Sequence, residues 1–135
     1  MKKIAHIGIA VSDLDAMIPF YRDQLGLSFQ GTEEVESEGV RVGFFKIGES
    51  AIELLEPLNE TSPIAKYIEK KGEGIHHVAL DVDNIQKRLD HLKENGIPLI
   101  HEEPKMGAHE SQVAFLHPKA ANGVLFELCE QKQEE

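Results

Sequence analysis

The chain has one cysteine, Cys129, and no tryptophan. A lone cysteine closes no internal disulfide, so nothing covalent braces the fold, and a reducing cytoplasm is the expected compartment. Cys129 itself reads as a small core residue rather than a nucleophile. Cations are scarce, 14 Lys and Arg against 24 Asp and Glu, for a net charge of −10. That excludes the basic stripe of a nucleic-acid binder. Long apolar runs are missing too. Met1-Lys2-Lys3 is followed by a short apolar run broken by His6 and Asp13, which is too short for a secretory core or a bilayer span, so no membrane association is expected. Paired-cysteine zinc spacing, a glycine-rich phosphate loop and a nucleophile elbow are all lacking. What remains is 135 residues, 41% hydrophobic, enough for one domain or for two small modules sharing a core.

The chain repeats itself. His6-Ile7-Gly8-Ile9-Ala10-Val11 opens the first half, which later reads Ile52-Glu53-Leu54-Leu55-Glu56. His77-Val78-Ala79-Leu80-Asp81-Val82 opens the second, which later reads Phe126-Glu127-Leu128-Cys129-Glu130. The spacing from histidine to glutamate is 47 residues in one copy and 50 in the other. Repetition at this period marks two copies of one supersecondary unit.

Periodicity gives each copy the order β-α-β-β-β. In the first, strands are expected over 4 to 11, 27 to 37, 40 to 47 and 50 to 56. Between the first two lies a helix, capped by Ser12 and striped with Leu14, Met17, Ile18, Tyr21 and Leu25. Pro19 predicts a local kink or an irregular first turn within it. His6, Gly8 and Ala10 share one face of the first strand, which leaves room beside the histidine. Ser62-Pro63 opens a short linker helix. The second copy repeats the pattern, with a helix capped by Asp83 and strands over 75 to 82, 97 to 101, 112 to 116 and 123 to 130. The charged tail from Gln131 is expected to fray. The boundaries are module 1 over about 1–58, a linker helix over about 59–73 and module 2 over about 74–131.

A lone strand histidine is usually a core or surface residue. His6 and His77 differ because they occupy one position in two copies. Glu53 and Glu127 lie in apolar strands, where a carboxylate is costly unless paired, hydrogen-bonded or bound to metal. The expected metal ligands are therefore His6, Glu53, His77 and Glu127. Two imidazoles and two carboxylates suit a divalent Co, Zn, Ni or Mn ion with positions left for substrate. Glu33, Glu34, Glu36 and Glu38 read as a solvated acidic run. Lys105, in a loop with His109 and Ser111, and Lys119, after His117-Pro118, are candidate contacts for an anionic substrate.

The stretches 4–11, 54–58, 74–79, 115–119 (Phe-Leu-His-Pro-Lys) and 123–128 (Gly-Val-Leu-Phe-Glu-Leu) resemble the vicinal oxygen chelate superfamily and, within it, the methylmalonyl-CoA epimerase family. The resemblance covers nearly the whole chain. It implies an α+β, glyoxalase-like fold in which two tandem βαβββ modules form a cup-shaped mixed sheet around a metal, with ligands at His6, Glu53, His77 and Glu127. It further implies an acyl-CoA substrate and a homodimer. The implied activity interconverts the (2R) and (2S) epimers of methylmalonyl-CoA by C2 proton abstraction through a metal-stabilised enolate. From the loop and charge pattern, Lys105, His109, Ser111, His117 and Lys119 are the expected substrate-side residues. Some relatives carry a glutamate on the strand matching 40 to 45, where this chain reads Val-Arg-Val-Gly-Phe-Phe. Glu127 and Glu53 are therefore the candidate bases, Glu127 the stronger. The competing readings are a glyoxalase I acting on a thiol hemithioacetal and a metal-free drug-binding module of the same fold.

Overall fold

A computed structural model of the protein describes residues 1–132; the last three residues of the tail expected to fray lie outside the described residues. Contacts within the chain group into two compact units, one spanning His6–His76, the other joining Met1–Ala5 to the chain from His77 onward. The fold is α+β and glyoxalase-like, with eight strands and three α-helices among the described residues.

In the unit spanning His6–His76 the strand order is β2-β3-β4-β1, with β1 Lys3–Ala10, β2 Ser28–Val35, β3 Val40–Ile47 and β4 Ser50–Pro57. β1 runs parallel to β4, and β3 is antiparallel to both β2 and β4. Strand alternation sends Ile9, Ile52, Leu54 and Phe45 to one face. There they pack with Val11 and with Leu14 and Ile18 of α1, Leu14–Pro19. α1 lies close on β3: a Cβ built on Gly43 would sit 2.8 Å from Leu14 Cδ1. The opposite face carries His6, Gly8 and Ala10, as the strand parity predicts.

Pro19 does what its chemistry requires. It ends the α-helical bonding, and a π-type turn follows over Phe20–Gln24, with Leu25 N–H donating to Phe20 O at 3.0 Å. The helix start differs from expectation. Asp13, not Ser12, is the N-cap and accepts from Ala16 N–H, while Ser12 N–H donates to Glu73. Helix α2, Pro63–Lys71, follows Ser62, whose hydroxyl oxygen accepts from Ala65 N–H. α2 packs against β4, so the linker helix belongs to this same unit.

In the other unit the order is β5-β8-β7-β6, with β5 Gly74–Asp81, β6 Lys105–Met106, β7 Gln112–Phe115 and β8 Phe126–Glu130. β5 and β8 are parallel, and β7 is antiparallel to both β8 and β6. Leu80, Val82, Leu128 and Ala114 pack under Ile85 and Leu89 of α3, Ile85–Glu94. The opposite face is small and tight: Ala5, Ala79, Val113 and Cys129. Cys129 is thus a core residue. The N-cap here is Asn84 rather than Asp83; Asp83 pairs with Lys2 instead. The strand expected over 97 to 101 does not form. Pro98 interrupts it, and the segment follows β7 through one bridge, Leu99 to Leu116, and irregular bonds.

Candidate functional site

Each unit builds the same local arrangement. In the first, Gly8 is the cross-strand partner of Glu53 and His6 lies two residues before Gly8. In the second, Ala79 is the partner of Glu127 and His77 lies two residues before Ala79. A two-residue offset keeps a histidine on the face of its glutamate. A histidine and a carboxylate therefore meet in both copies. His6 Nδ1 is 3.0 Å from Glu53 Oε2, and His77 Nε2 is 3.4 Å from Glu127 Oε1. Small residues, Gly8 and Ala79, stand opposite the two glutamates. His6, His77 and Glu127 are buried.

The neighbouring carboxylates repeat as well. Glu56 lies three residues after Glu53 and points to the opposite face, where it accepts from Leu14 N–H at 2.7 Å. Glu130, three residues after Glu127, accepts from Ile85 N–H at 2.8 Å. Each therefore anchors the first turn of its helix, where negative charge is favoured. Sequence reasoning passed over both, although their spacing from the ligand-type glutamates repeats as faithfully as the histidines do.

The donor set can be tested against a divalent ion. First-row metals hold imidazole nitrogen and carboxylate oxygen at about 2.0–2.2 Å, so adjacent ligand atoms lie roughly 3.0–3.5 Å apart. Both pairs match that spacing, and the groups are of the borderline type such ions accept. Each unit thus offers a candidate half-site for a metal.

Around the second pair the walls are aromatic and polar. Phe115 is the cross-strand partner of Glu127, and its ring meets that of His77 edge to face at 5.2 Å. His101, absent from the sequence-based candidates, also contacts Phe115, with ring centroids 5.8 Å apart. Its Nδ1 accepts from Phe115 N–H at 3.0 Å. Burial, then the nearby Lys105 charge, lower the His101 pKa, against a smaller raising effect of Glu127. The only signal for it in the sequence was a histidine ending an apolar run.

The other candidates are placed as follows. Lys105 stands on β6 opposite Val113, near enough to His101 for its charge to act there. The Ser111 hydroxyl is buried and donates to Ala108 O at 2.7 Å. His109 and Glu110 both take positive φ, 55° and 59°, in a tight turn fixed by Ser111, while Lys132 pairs with Glu110. His117 caps a 3-10 turn over Pro118–Ala121, its Nδ1 accepting from Lys119 N–H; its first use is structural. Lys119 is exposed. Val42, at the position where some relatives carry a carboxylate, is buried and apolar. Its register, opposite Leu55, places it on the face of Glu53.

A family model described as Glyoxalase/Bleomycin resistance protein/Dioxygenase superfamily matches residues 5–115. The chain is 44% identical over 128 residues to an ethylmalonyl-CoA/methylmalonyl-CoA epimerase of Cereibacter sphaeroides, covering 93% of this chain and 96% of that one. The structure of a variant Streptomyces coelicolor methylmalonyl-CoA epimerase in complex with 2-nitronate-propionyl-CoA superposes with a TM-score of 0.94 at 39% identity, covering 98% of this chain and 96% of the other. Similarity to a probable lactoylglutathione lyase of Vibrio cholerae is lower, 28% over 131 residues, 97% of this chain and 92% of that one. The chain therefore belongs to the glyoxalase/bleomycin resistance/dioxygenase superfamily, in the family of the methylmalonyl-CoA epimerases.

Proposed function

We propose that this protein is a metal-dependent epimerase that interconverts the (2R) and (2S) forms of methylmalonyl-CoA, and that His6, Glu53, His77 and Glu127 together hold one divalent ion. The observation that carries this reading is the duplicated histidine–carboxylate pair, at ligand-edge spacing in both copies. The epimerase names borne by the similar proteins support the substrate. When bound, the ion supplies Lewis-acid stabilisation of the negative charge that develops on the acyl oxygens.

The C2 proton lies between a thioester and a carboxylate, so its removal leaves charge that both groups delocalise. Inversion requires proton removal on one face and delivery on the other. Glu127 is the first base: it is buried, stands opposite Phe115 on the neighbouring strand and sits beside His77. Glu53 is the second, because Val42 provides no carboxylate on its strand. Lys105 supplies positive charge for an anionic substrate; Ser111 fixes the turn beside it. His109, His117 and Lys119 are proposed to line the approach of the acyl-CoA. We further propose a cytoplasmic homodimer with module boundaries near residues 58 and 74; the described residues include no helix long and apolar enough to cross a membrane.

The test is solvent-deuterium incorporation at C2 of methylmalonyl-CoA, followed by NMR with metal-loaded and chelated protein. Exchange that depends on metal is expected. Absence of exchange in metal-loaded protein, with turnover of a glutathione hemithioacetal instead, would replace the epimerase reading by the glyoxalase one.

A further inference from the structure

His101 is held in an unusual way. Its backbone N–H donates to Phe115 O at 3.2 Å, and its Nδ1 accepts from Phe115 N–H at 3.0 Å. Phe115 O is shared with Ile100 N–H at 3.0 Å, while Phe115 N–H is taken by the His101 side chain, where the short strand β6 no longer reaches. An imidazole nitrogen that accepts a hydrogen bond carries no proton, so the ring is neutral and its proton sits on Nε2. Nε2 lies on the ring edge away from Phe115 N–H, and it has no hydrogen-bond partner among the described residues. The ring is half-buried, so this N–H is only partly available to bulk water. A donor in that position favours a ligand that brings an acceptor.

The surroundings indicate which ligand. The Phe115 ring contacts both the His101 and the His77 rings, Phe115 is the cross-strand partner of Glu127, and Lys105 lies near enough to influence His101. His101 is thus linked through Phe115 to the proposed base, a fitting place for a donor to an acyl group with a carboxylate or thioester oxygen. Neutrality matters here. An imidazolium on this side of Phe115 would stabilise the Glu127 anion and weaken it as a base, whereas a neutral N–H can orient an acyl oxygen without that penalty.

We propose that His101 is a substrate-positioning residue that donates its Nε2–H to an acyl oxygen of the substrate bound beside His77 and Glu127, an inference that rests on the epimerase reading. It orients C2 toward the Glu127 carboxylate while Phe115 N–H locks the ring.

Two variants separate this role from a structural one. His101→Asn keeps an acceptor within reach of Phe115 N–H and loses the Nε2 donor. His101→Gln places an amide donor near the Nε2 position. With metal-loaded enzyme, His101→Asn is expected to lower kcat for C2 exchange about tenfold with KM nearly unchanged, and His101→Gln to recover most of the loss. In the unaltered protein, 15N NMR should report an Nε2–H tautomer for His101 and a shift of that resonance on adding methylmalonyl-CoA. An active enzyme whose His101 resonance ignores methylmalonyl-CoA, or whose His101→Asn variant folds and keeps full kcat, overturns the positioning role and leaves the epimerase reading standing. A resonance that responds to methylmalonyl-CoA in a protein that exchanges no C2 proton upholds the positioning role and overturns the reaction. Neither response nor exchange overturns both.

Discussion

Glu127 combines two roles that a single substitution can separate. Glu127→Gln keeps size and one oxygen acceptor but cannot take up a proton. It is expected to lower C2 exchange by about 10²-fold or more while the far-UV spectrum and cooperative unfolding persist. Retention of normal exchange in a metal-loaded Glu127→Gln protein would move the base elsewhere. His101 yields a pH prediction. Its pKa is lowered from 6.5 in the fold, so the unfolded chain takes up the proton first. The contribution of His101 to stability is therefore complete above pH 6.5 and declines as pH falls through its lower folded pKa. Protonation also removes the acceptor for Phe115 N–H. Thermal melts at descending pH should show a loss in the unaltered protein that is smaller in His101→Asn. The metal-type residues were legible in the sequence because repetition singled them out, but His101 has no counterpart in the first copy. Its importance comes from a fold-back onto β7 that no local pattern announces.

The elements were legible where apolar residues keep a regular period. The strands around His6, Glu53, His77 and Glu127 and all three helices fall where alternation and helical stripes put them. The misread places are those where one polar atom decides. Ser12 and Asp83 are acceptable caps by type, yet Asp13 and Asn84, one residue further along, accept the bonds, because the first helical N–H is already taken by Glu56 or Glu130. Glu130→Ala should leave Ile85 N–H without its carboxylate and cost about 1–2 kcal/mol in urea unfolding. Glu130→Gln retains an acceptor and should lose less. Gly43 tests the closeness of α1 to its sheet. A methyl there meets the fully buried Leu14 at 2.8 Å, so Gly43→Ala is expected to destabilise by about 1–3 kcal/mol through overpacking. A neutral result in either helix-supporting experiment would mean that the helix relaxes at little cost.

For the molecule as a whole, duplication links stability to ligand binding. An ion held only by the folded chain adds stability that grows with its concentration, about 2.7 kcal/mol at a hundredfold excess over Kd. Adding a divalent ion should therefore raise Tm, and a chelator should reverse the gain. His77→Ala is expected to abolish the increment. If Tm ignores Co, Zn, Ni and Mn alike, the pairs are ordinary buried hydrogen-bonding groups. The architecture was visible in the sequence because two copies of one pattern check each other. The irregular connection from Pro98 to Gly107 was not, since it follows β7 without a period of its own.

The strands β4 and β8 each send one carboxylate to each face: Glu53 and Glu127 beside a histidine, Glu56 and Glu130 beneath a helix end. Because strand parity is two, slippage by a single residue would turn the first carboxylate into the apolar layer and withdraw the second from its N–H. Each strand is thus proofread at two ends during folding, and the misaligned competitors are penalised twice. Inserting one residue between Glu53 and Glu56 should then be far more harmful than inserting one in the turn around Gly48, which lies outside the two strands it joins.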